Sequence, residues 1–433
     1  MAKKVLILCN DFPPINSIGA DRPYSWYKYF KEFDLEPIVI TKNWISDGND
    51  GNPKVDDKLT IEKDEFGQII RVSNCNTFST IFHRFFGNRL VVIRKLITLF
   101  EITLAFNIRI FDRHRNIYYA ANNYLNRNDV DFIIATGEPF ILLRYATLLG
   151  RKNKIKSIVD FRDGWYLNHK FGVHYKPYSR KFNFVQKVSE YFNEKFIRNW
   201  EFIFEKKVCK LASEIITVDP EMAFRLSNLH RRKVGVIYNG FWNYHDSSKH
   251  RTNDEKIIIN HTGTLAPGQE IEIFLDVLLK LFKENLINEK NFQFNLIGLE
   301  YFPDRMRRLI PYSEMIGKVV FTTPRLKKEE AIRINISADY LILFTDPNLS
   351  AIYAKTYDYI ACRKPIIVVP GDKKQLDTLI KENNLGFILR NSEQIAEFIL
   401  TKNVKSFSPN DVLKFTRKKQ AEILSELILS SNT

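Results

Sequence analysis

The chain has 433 residues, 45% hydrophobic, 13% aromatic and 27% charged, a globular composition with core enough for two or three domains and without repeats or low-complexity tracts. No stretch of about 20 residues is free of charge, so no membrane-spanning helix is expected, and Cys9, Cys75, Cys209 and Cys362 stand too far apart for a metal or disulfide framework, which fits a reducing cytoplasm. A net charge of +15 asks for an anionic partner without naming it: nucleic acid, anionic lipid and nucleotide diphosphates all qualify.

The basic start runs straight into Val5–Leu8, which reads as a first strand and not a signal peptide. Asn10-Asp11-Phe12-Pro13-Pro14 breaks the strand, a loop carries Gly19, and a helix follows from about Asp21 to Phe33. Pro37–Thr41 supplies the next strand and completes a βαβ start, whose loop lies where open α/β sheets bind ligands. Residues 42–80 read as a polar excursion with a short hairpin. Residues 81–126 show a broad apolar helical face with a basic edge, in one long helix or two. That pattern suits a surface dipping into an anionic leaflet or holding a lipid-linked acceptor, and equally a hairpin packed on the sheet.

Two further strands, 131–136 and 156–161, end in charged turns at Gly137-Glu138-Pro139 and Arg162-Asp163-Gly164-Trp165, forming a cleft rim. Residues 169–213 mix aromatic and basic side chains; no nucleic-acid module accompanies them, so a membrane-facing edge is preferred to nucleic acid. A helix to Ala212 and strands at 214–218 and 236–241 close a first domain, 1–245, and residues 246–255 read as a linker. The second domain, 246–408, begins with strand 256–264 and its turn at Gly263-Thr264, then a helix from Glu270 to Phe282. Strands follow at 292–297, 319–322, 340–344 and 366–369, with helices between and a last amphipathic helix at 411–429.

The segment Ser350-Ala351-Ile352-Tyr353-Ala354-Lys355-Thr356-Tyr357-Asp358-Tyr359-Ile360-Ala361, continued by Cys362-Arg363-Lys364-Pro365-Ile366, reads as a loop, a helix start suited to a phosphate, and a buried strand. Here the chain resembles the retaining glycosyltransferases of the family-4 type, whose motif is an acidic residue, seven residues, a second acid, then Tyr-hydrophobic-Ala-x-x-Lys-Pro. Asp358 to Ile366 match the second half, while the first acidic position falls on Ser350. The implied fold is α/β, GT-B: two Rossmann-like doubly wound domains facing a central cleft, with residues 409–433 crossing back to the first.

The resemblance carries roles residue by residue. Asp358 holds the donor ribose, and Ser350 stands at the first acid's place near the donor sugar and phosphate; apart from the resemblance, Ser350, Ala351 and Lys355 fall at the helix start that suits a phosphate, where Lys355 adds a cation to offset leaving-group charge. Gly19 matches the loop glycine whose amide approaches the diphosphate, and Arg22 the arginine near it. Gly263 and Thr264 stand in the turn where the family places an Arg and a Lys, so two cations are missing there. Pro324 and Arg325 follow the strand that reads the base. Asp160, Arg162, Asp163 and Trp165 match an Asp-x-Arg-Asp-x-Trp variant of the rim, where Arg162 pairs with phosphate and Asp163 orients or deprotonates an acceptor hydroxyl. Glu138, Asp160 and Trp165 are the acceptor contacts. The implied activity is transfer of a sugar from a nucleotide-diphosphate sugar to a hydroxyl of a lipid-linked or polysaccharide acceptor, with retention, in bacterial surface polysaccharide synthesis. No cofactor or metal is expected, and the protein is placed in the cytoplasm, peripheral to the inner face of the membrane. A nucleotide-sugar epimerase of the same fold and a non-catalytic binding protein remain as alternatives.

Overall fold

The structure, a computed structural model, describes residues 2–15, 17–45, 54–87, 89–167, 184–245, 256–266, 268–401, 409–410 and 412–430, with the backbone alone for 18, 92 and 184–197. The expected linker 246–255, Pro267, and the stretch 169–183 lie outside them. The described chain divides into two units. The first takes residues up to 167, then 184–238 and 417–430; the second takes 239–416. The division thus falls at Tyr238, ahead of the expected boundary at 245.

The first unit is built on a sheet of eight strands. They are β1 (Lys3–Leu8), β2 (Leu35–Lys42), β5 (Thr60–Lys63), β6 (Gln68–Val72), β7 (Phe132–Gly137), β8 (Lys156–Phe161), β9 (Glu214–Thr217) and β10 (Gly235–Val236), in the order β10-β9-β8-β7-β1-β2-β6-β5. The strands β3 (Trp44–Ile45) and β4 (Lys54–Val55) form a separate antiparallel pair. All neighbours in the large sheet run parallel except β5 against β6. Val5 to Leu8 are wholly buried, the signature of a parallel strand covered on both faces. The helices α1 (Ile18–Tyr29), α4 (Arg115–Leu125), α5 (Ile141–Asn153), α6 (Phe184–Leu211) and α7 (Pro220–His230) are the crossovers. Ser17 caps α1, its hydroxyl accepting the Ala20 amide at 3.1 Å.

Two expectations change here. The excursion 42–80 contains β6, a buried member of the main sheet, hidden in the sequence because Arg71 interrupts its apolar run. The Arg71 guanidinium is satisfied by Glu62 and the Pro13 carbonyl. Residues 81–126 form not one helix or two but the end of α2 (Phe78–Phe86), α3 (Val91–Ala105), a short turn at Arg109–Phe111, and α4.

The second unit has β11 (Ile257–Thr262), β12 (Phe292–Ile297), β13 (Val320–Thr322), β14 (Tyr340–Phe344), β15 (Ile366–Val369) and β16 (Gly386–Ile388) in one parallel sheet ordered β13-β12-β11-β14-β15-β16. Its longer helices are α8 (Glu272–Lys283), α9 (Lys328–Ile336), α10 (Ala354–Ala361), α11 (Gln375–Glu382) and α12 (Ser392–Leu400). Phe294 and Phe344, facing each other across β11, meet Phe274 of α8 edge-on at 5.1 and 5.9 Å. In both units the strand order reverses once beside the first strand, between β1 and β7 and between β11 and β14. Such reversal points open a crevice at the carboxyl ends of the strands.

The last helix, α13 (Arg417–Ser430), belongs to the first unit. Ala421, Leu424 and Ile428, at helical spacing, are fully buried. Arg417 lies 3.5 Å from Asp21 of α1, and Gln420 accepts the Tyr238 amide at 2.7 Å.

Candidate functional site

Each unit carries its own group of candidate residues. In the first, the reversal point joins the loop after β1 to the loop after β7. Arg162, just past β8, donates through Nε to the Gly137 carbonyl and so ties two strand ends together. Gly19, in the first turn of α1, lies directly against it. A methyl on Gly19 would fall 2.3 Å from Arg162 Nη1 and 2.7 Å from Asp11 Oδ2. Asp11 also receives Asn10 Nδ2 at 2.6 Å. A guanidinium, a carboxylate and the capped start of α1 thus converge where the sequence expects diphosphate.

Glu138 and Asp163 sit on the same rim. Each reaches solvent at one edge, while packing on its other side raises its carboxyl above the usual range. For Glu138, Asp163 and Asp11 add to that burial and Arg162 opposes it; for Asp163, Arg162 opposes and Asp160 adds. Two carboxyls held toward the neutral form beside one guanidinium suit proton transfer to or from a hydroxyl. Behind them opens a cavity of about 840 Å³. Its walls include Glu138, Phe140, Trp165 and, from the other side, Thr98 and Glu101 of α3. Trp165 is buried and stacks on Phe140 at 5.0 Å with the rings 1° from parallel, so it offers the cavity a wall rather than a mobile contact.

Arg22 and Asp160 are corrections. Neither faces the rim. Arg22 is 1% exposed and Asp160 fully buried, and they form a bidentate pair at 2.9 and 2.7 Å. Arg22 Nη1 donates further to the carbonyls of Ile237 and Tyr238. These groups are spent on one another and on the backbone; they fasten α1 to β8 and to the end of β10.

In the second unit, Gly263 leaves β11 with φ +89°, a conformation that side chains resist, and Thr264 follows. Across the reversal point, the loop after β14 carries Ser350 and Ala351 into α10, and Lys355 in its first turn reaches back to β11. Lys355 Nζ donates to the Thr264 carbonyl at 3.1 Å and to His261 Nε2 at 3.3 Å. His261 is fully buried with Nδ1 3.0 Å from the Ile342 carbonyl, so Nδ1 bears the proton and Nε2 is free to accept. Burial, and then Lys355, hold His261 well below its ordinary pKa, which keeps it neutral. Burial also pushes Lys355 down to about 8, against the pull of Asp358. Two of its three ammonium hydrogens are placed among the described residues, leaving one for a ligand.

Tyr353, at the N-cap of α10, gives the first turn no side-chain hydrogen bond; the Thr356 amide donates to the Tyr353 carbonyl at 2.9 Å, and the amides of Ala354 and Lys355 precede it at the helix start. The Ser350 hydroxyl is buried without a hydrogen-bond partner among the described residues. Asp358 is exposed one turn beyond Lys355. Pro324 and Arg325 are exposed after β13 at the same sheet edge, with the Arg325 guanidinium 5.5 Å from the Tyr301 ring. Gln269, in the region of the missing cations, is buried between the Ala266 amide and the Phe344 carbonyl and only braces the turn.

The structure thus gathers Gly19, Arg162, Glu138, Asp163 and Trp165 in one unit, and Gly263, Thr264, Lys355, Ser350, Ala351 and Asp358 in the other. Asp11 and His261 escape the sequence reading. The only hint of His261 was a polar residue at the end of an apolar strand, just before a glycine.

No family model and no curated protein matches this chain. Solved structures do. The catalytic domain of starch synthase IV from Arabidopsis thaliana, bound to ADP and acarbose, is 12% identical with a TM-score of 0.59, covering 100% of this chain and 99% of that one. HepE from Anabaena, in complex with UDP and glucose, is 14% identical at 0.50, over 99% and 97%. A UDP-GlcNAc 2-epimerase from Methanocaldococcus jannaschii is 9% identical at 0.50, over 99% and 99%. At these identities the likeness shows the fold, which is GT-B with its two Rossmann-like domains.

Proposed function

We propose that this chain is a glycosyltransferase moving a sugar from a nucleotide-diphosphate sugar to a hydroxyl of a lipid-linked or glycan acceptor, with retention, in surface polysaccharide synthesis on the inner face of a membrane. The observation that carries the reading is the Lys355 ammonium. A residue outside the expected Arg/Lys pair brings a cation back to the Gly263-Thr264 turn, beside a helix start without a side-chain cap. The solved structures of the same fold, several of them holding UDP or ADP, support a nucleotide-sugar donor.

In this reading the diphosphate meets the Gly263 turn and the first amides of α10, and Lys355 offsets the charge that develops on the leaving phosphate. Asp358 grips the ribose. The base lies by Pro324 and Arg325. Asp163 or Glu138 takes the acceptor proton, with Arg162 between them setting how readily each gives it up. The acceptor occupies the cavity behind the rim. No metal is invoked.

The test is a panel of UDP-, GDP-, ADP- and TDP-sugars with nucleotide release as readout and the anomeric configuration of the product read by NMR. Release with a transferred, retained sugar supports the reading, whereas a 2-epimerised donor favours the epimerase and silence across the panel a binding protein. Asp358→Ala is expected to weaken donor binding by tenfold to about a hundredfold, the cost of about 1.5–3 kcal/mol for hydrogen bonds to a charged group. Its exposure predicts an unchanged melting temperature, checked by calorimetry beside the titration. Gly19→Ala is expected to displace the Arg162 guanidinium and lower kcat/KM at least tenfold. Its helix propensity offsets strain, so the melting temperature stays within a few degrees.

A further inference from the structure

The helices α2 and α3 are built inside out. Among the described side chains of α2 none is buried, although Phe78, Ile81, Phe82, Phe85 and Phe86 make up most of it. Among the described side chains of α3 the one buried is Glu101, 4% exposed, while Ile93, Leu96, Phe100 and Ile102 face solvent. Phe85 is 78% exposed and Leu96 61%. The inversion is held in place: Glu101 accepts the Ser79 amide at 2.9 Å as well as its hydroxyl, and so locks the start of α2 to the inner face of α3. Soluble helices turn the opposite face outward, and a contiguous exposed apolar surface of this kind awaits a partner.

Charge chooses the partner. Between residues 78 and 113 the fixed cations are Arg84, Arg89, Arg94, Lys95, Arg109 and Arg113, and the carboxylates are Glu101 and Asp112 alone. Both carboxylates are buried, Asp112 accepting the Tyr145 hydroxyl. Every ionisable group this hairpin shows to solvent is therefore a base. A second copy meeting the same face would set like charges opposite one another. A leaflet of anionic lipid takes both features at once: phosphates meet the Arg and Lys rim, and acyl chains cover the Phe, Leu and Ile face.

We propose that the α2–α3 hairpin is a shallow membrane anchor that enters an anionic leaflet with Phe78, Ile81, Phe85, Phe86, Leu96 and Phe100 leading. The inference deepens the membrane-face element of the proposed function and does not rest on sugar transfer. The polar inner face of the same hairpin, Thr98 and Glu101, lines the cavity behind Glu138. A lipid-linked acceptor thus reaches the rim sideways from the leaflet, its head under the hairpin and its tail still in the bilayer.

The experiment is sedimentation of the full chain with vesicles of phosphatidylcholine alone and with phosphatidylglycerol added, at low and high salt. The wild-type protein is expected to bind the anionic vesicles at least tenfold more tightly, with part of that binding surviving high salt. Phe85→Ser/Leu96→Ser is expected to lose at least tenfold at both salts, and Arg84→Glu/Lys95→Glu to lose the preference for phosphatidylglycerol. Near-UV circular dichroism and donor titration of each variant should match wild type, because these residues lie on the surface and outside the donor half. Equal binding by the apolar double variant overturns the proposal. So does absence of vesicle binding, or a dimer seen by sedimentation velocity that the same substitutions dissolve. Vesicle binding without donor binding would sink the transferase reading and leave the anchor standing; donor turnover without vesicle binding would do the reverse.

Discussion

Arg22→Met is expected to destabilise the first unit by about 3–5 kcal/mol, because it leaves the Asp160 carboxylate charged, buried and unpaired. A loss of that size is a large share of the about 5–15 kcal/mol that typically separates folded from unfolded. It also frees the carbonyls of Ile237 and Tyr238, which Arg22 now satisfies. The measurement is urea unfolding followed by tryptophan fluorescence. Replacing both partners, as Arg22→Met/Asp160→Leu, removes the stranded charge, and most of the stability should return. Arg22→Lys offers a cation without the planar fork and should fall between. If Arg22→Lys instead kept its stability and lost donor affinity, the sequence-based assignment of Arg22 to the donor would be restored.

Lys355→Met is expected to lower kcat/KM by about 10²–10³, the usual cost of removing one preorganised charge from a transition state. The pH dependence carries a sharper signature. Phosphate binding needs the ammonium form, and burial brings the free protein's Lys355 down to about 8. The cation is complete below that value and is lost as pH rises through it, so kcat/KM should fall on the alkaline side of about pH 8. A bound diphosphate stabilises the ammonium, so kcat alone should hold to higher pH. Lys355→Arg keeps its charge through this range and should flatten the alkaline limb, whatever its absolute rate. A flat wild-type profile from pH 7 to 9.5 would remove Lys355 from the chemistry.

The parallel sheets were legible in the sequence because strands covered on both faces are continuous apolar runs: Val5–Leu8, Ile133–Ile134, Ile257–Ile259 and Ile366–Val369 need only their turns to be recognised. The turns proposed to meet phosphate were legible as glycine positions too, Gly19 at the start of α1 and Gly263 at the end of β11. What failed has a common cause in distance along the chain. Arg22 and Asp160 are 138 residues apart, and a charged residue near a loop reads as a ligand contact until its partner is seen. His261 gains its meaning only when α10 folds back and lays Lys355 against it. The helical period of α3 reveals an apolar face but not which way that face looks; only the burial of Glu101 decides it.

The placement of α13 bears on how this protein comes to be folded. The β-strands of the first unit are all translated by Val236, yet their outer layer waits for a helix some 180 residues further on. Until that helix emerges, the surface it covers, including the seat of Ala421, Leu424 and Ile428, stands open while the second unit is being made. The first unit gains this last helix only after the second unit's strands have been made. A chain ending before Arg417 is therefore expected to show an open apolar seat on its first unit.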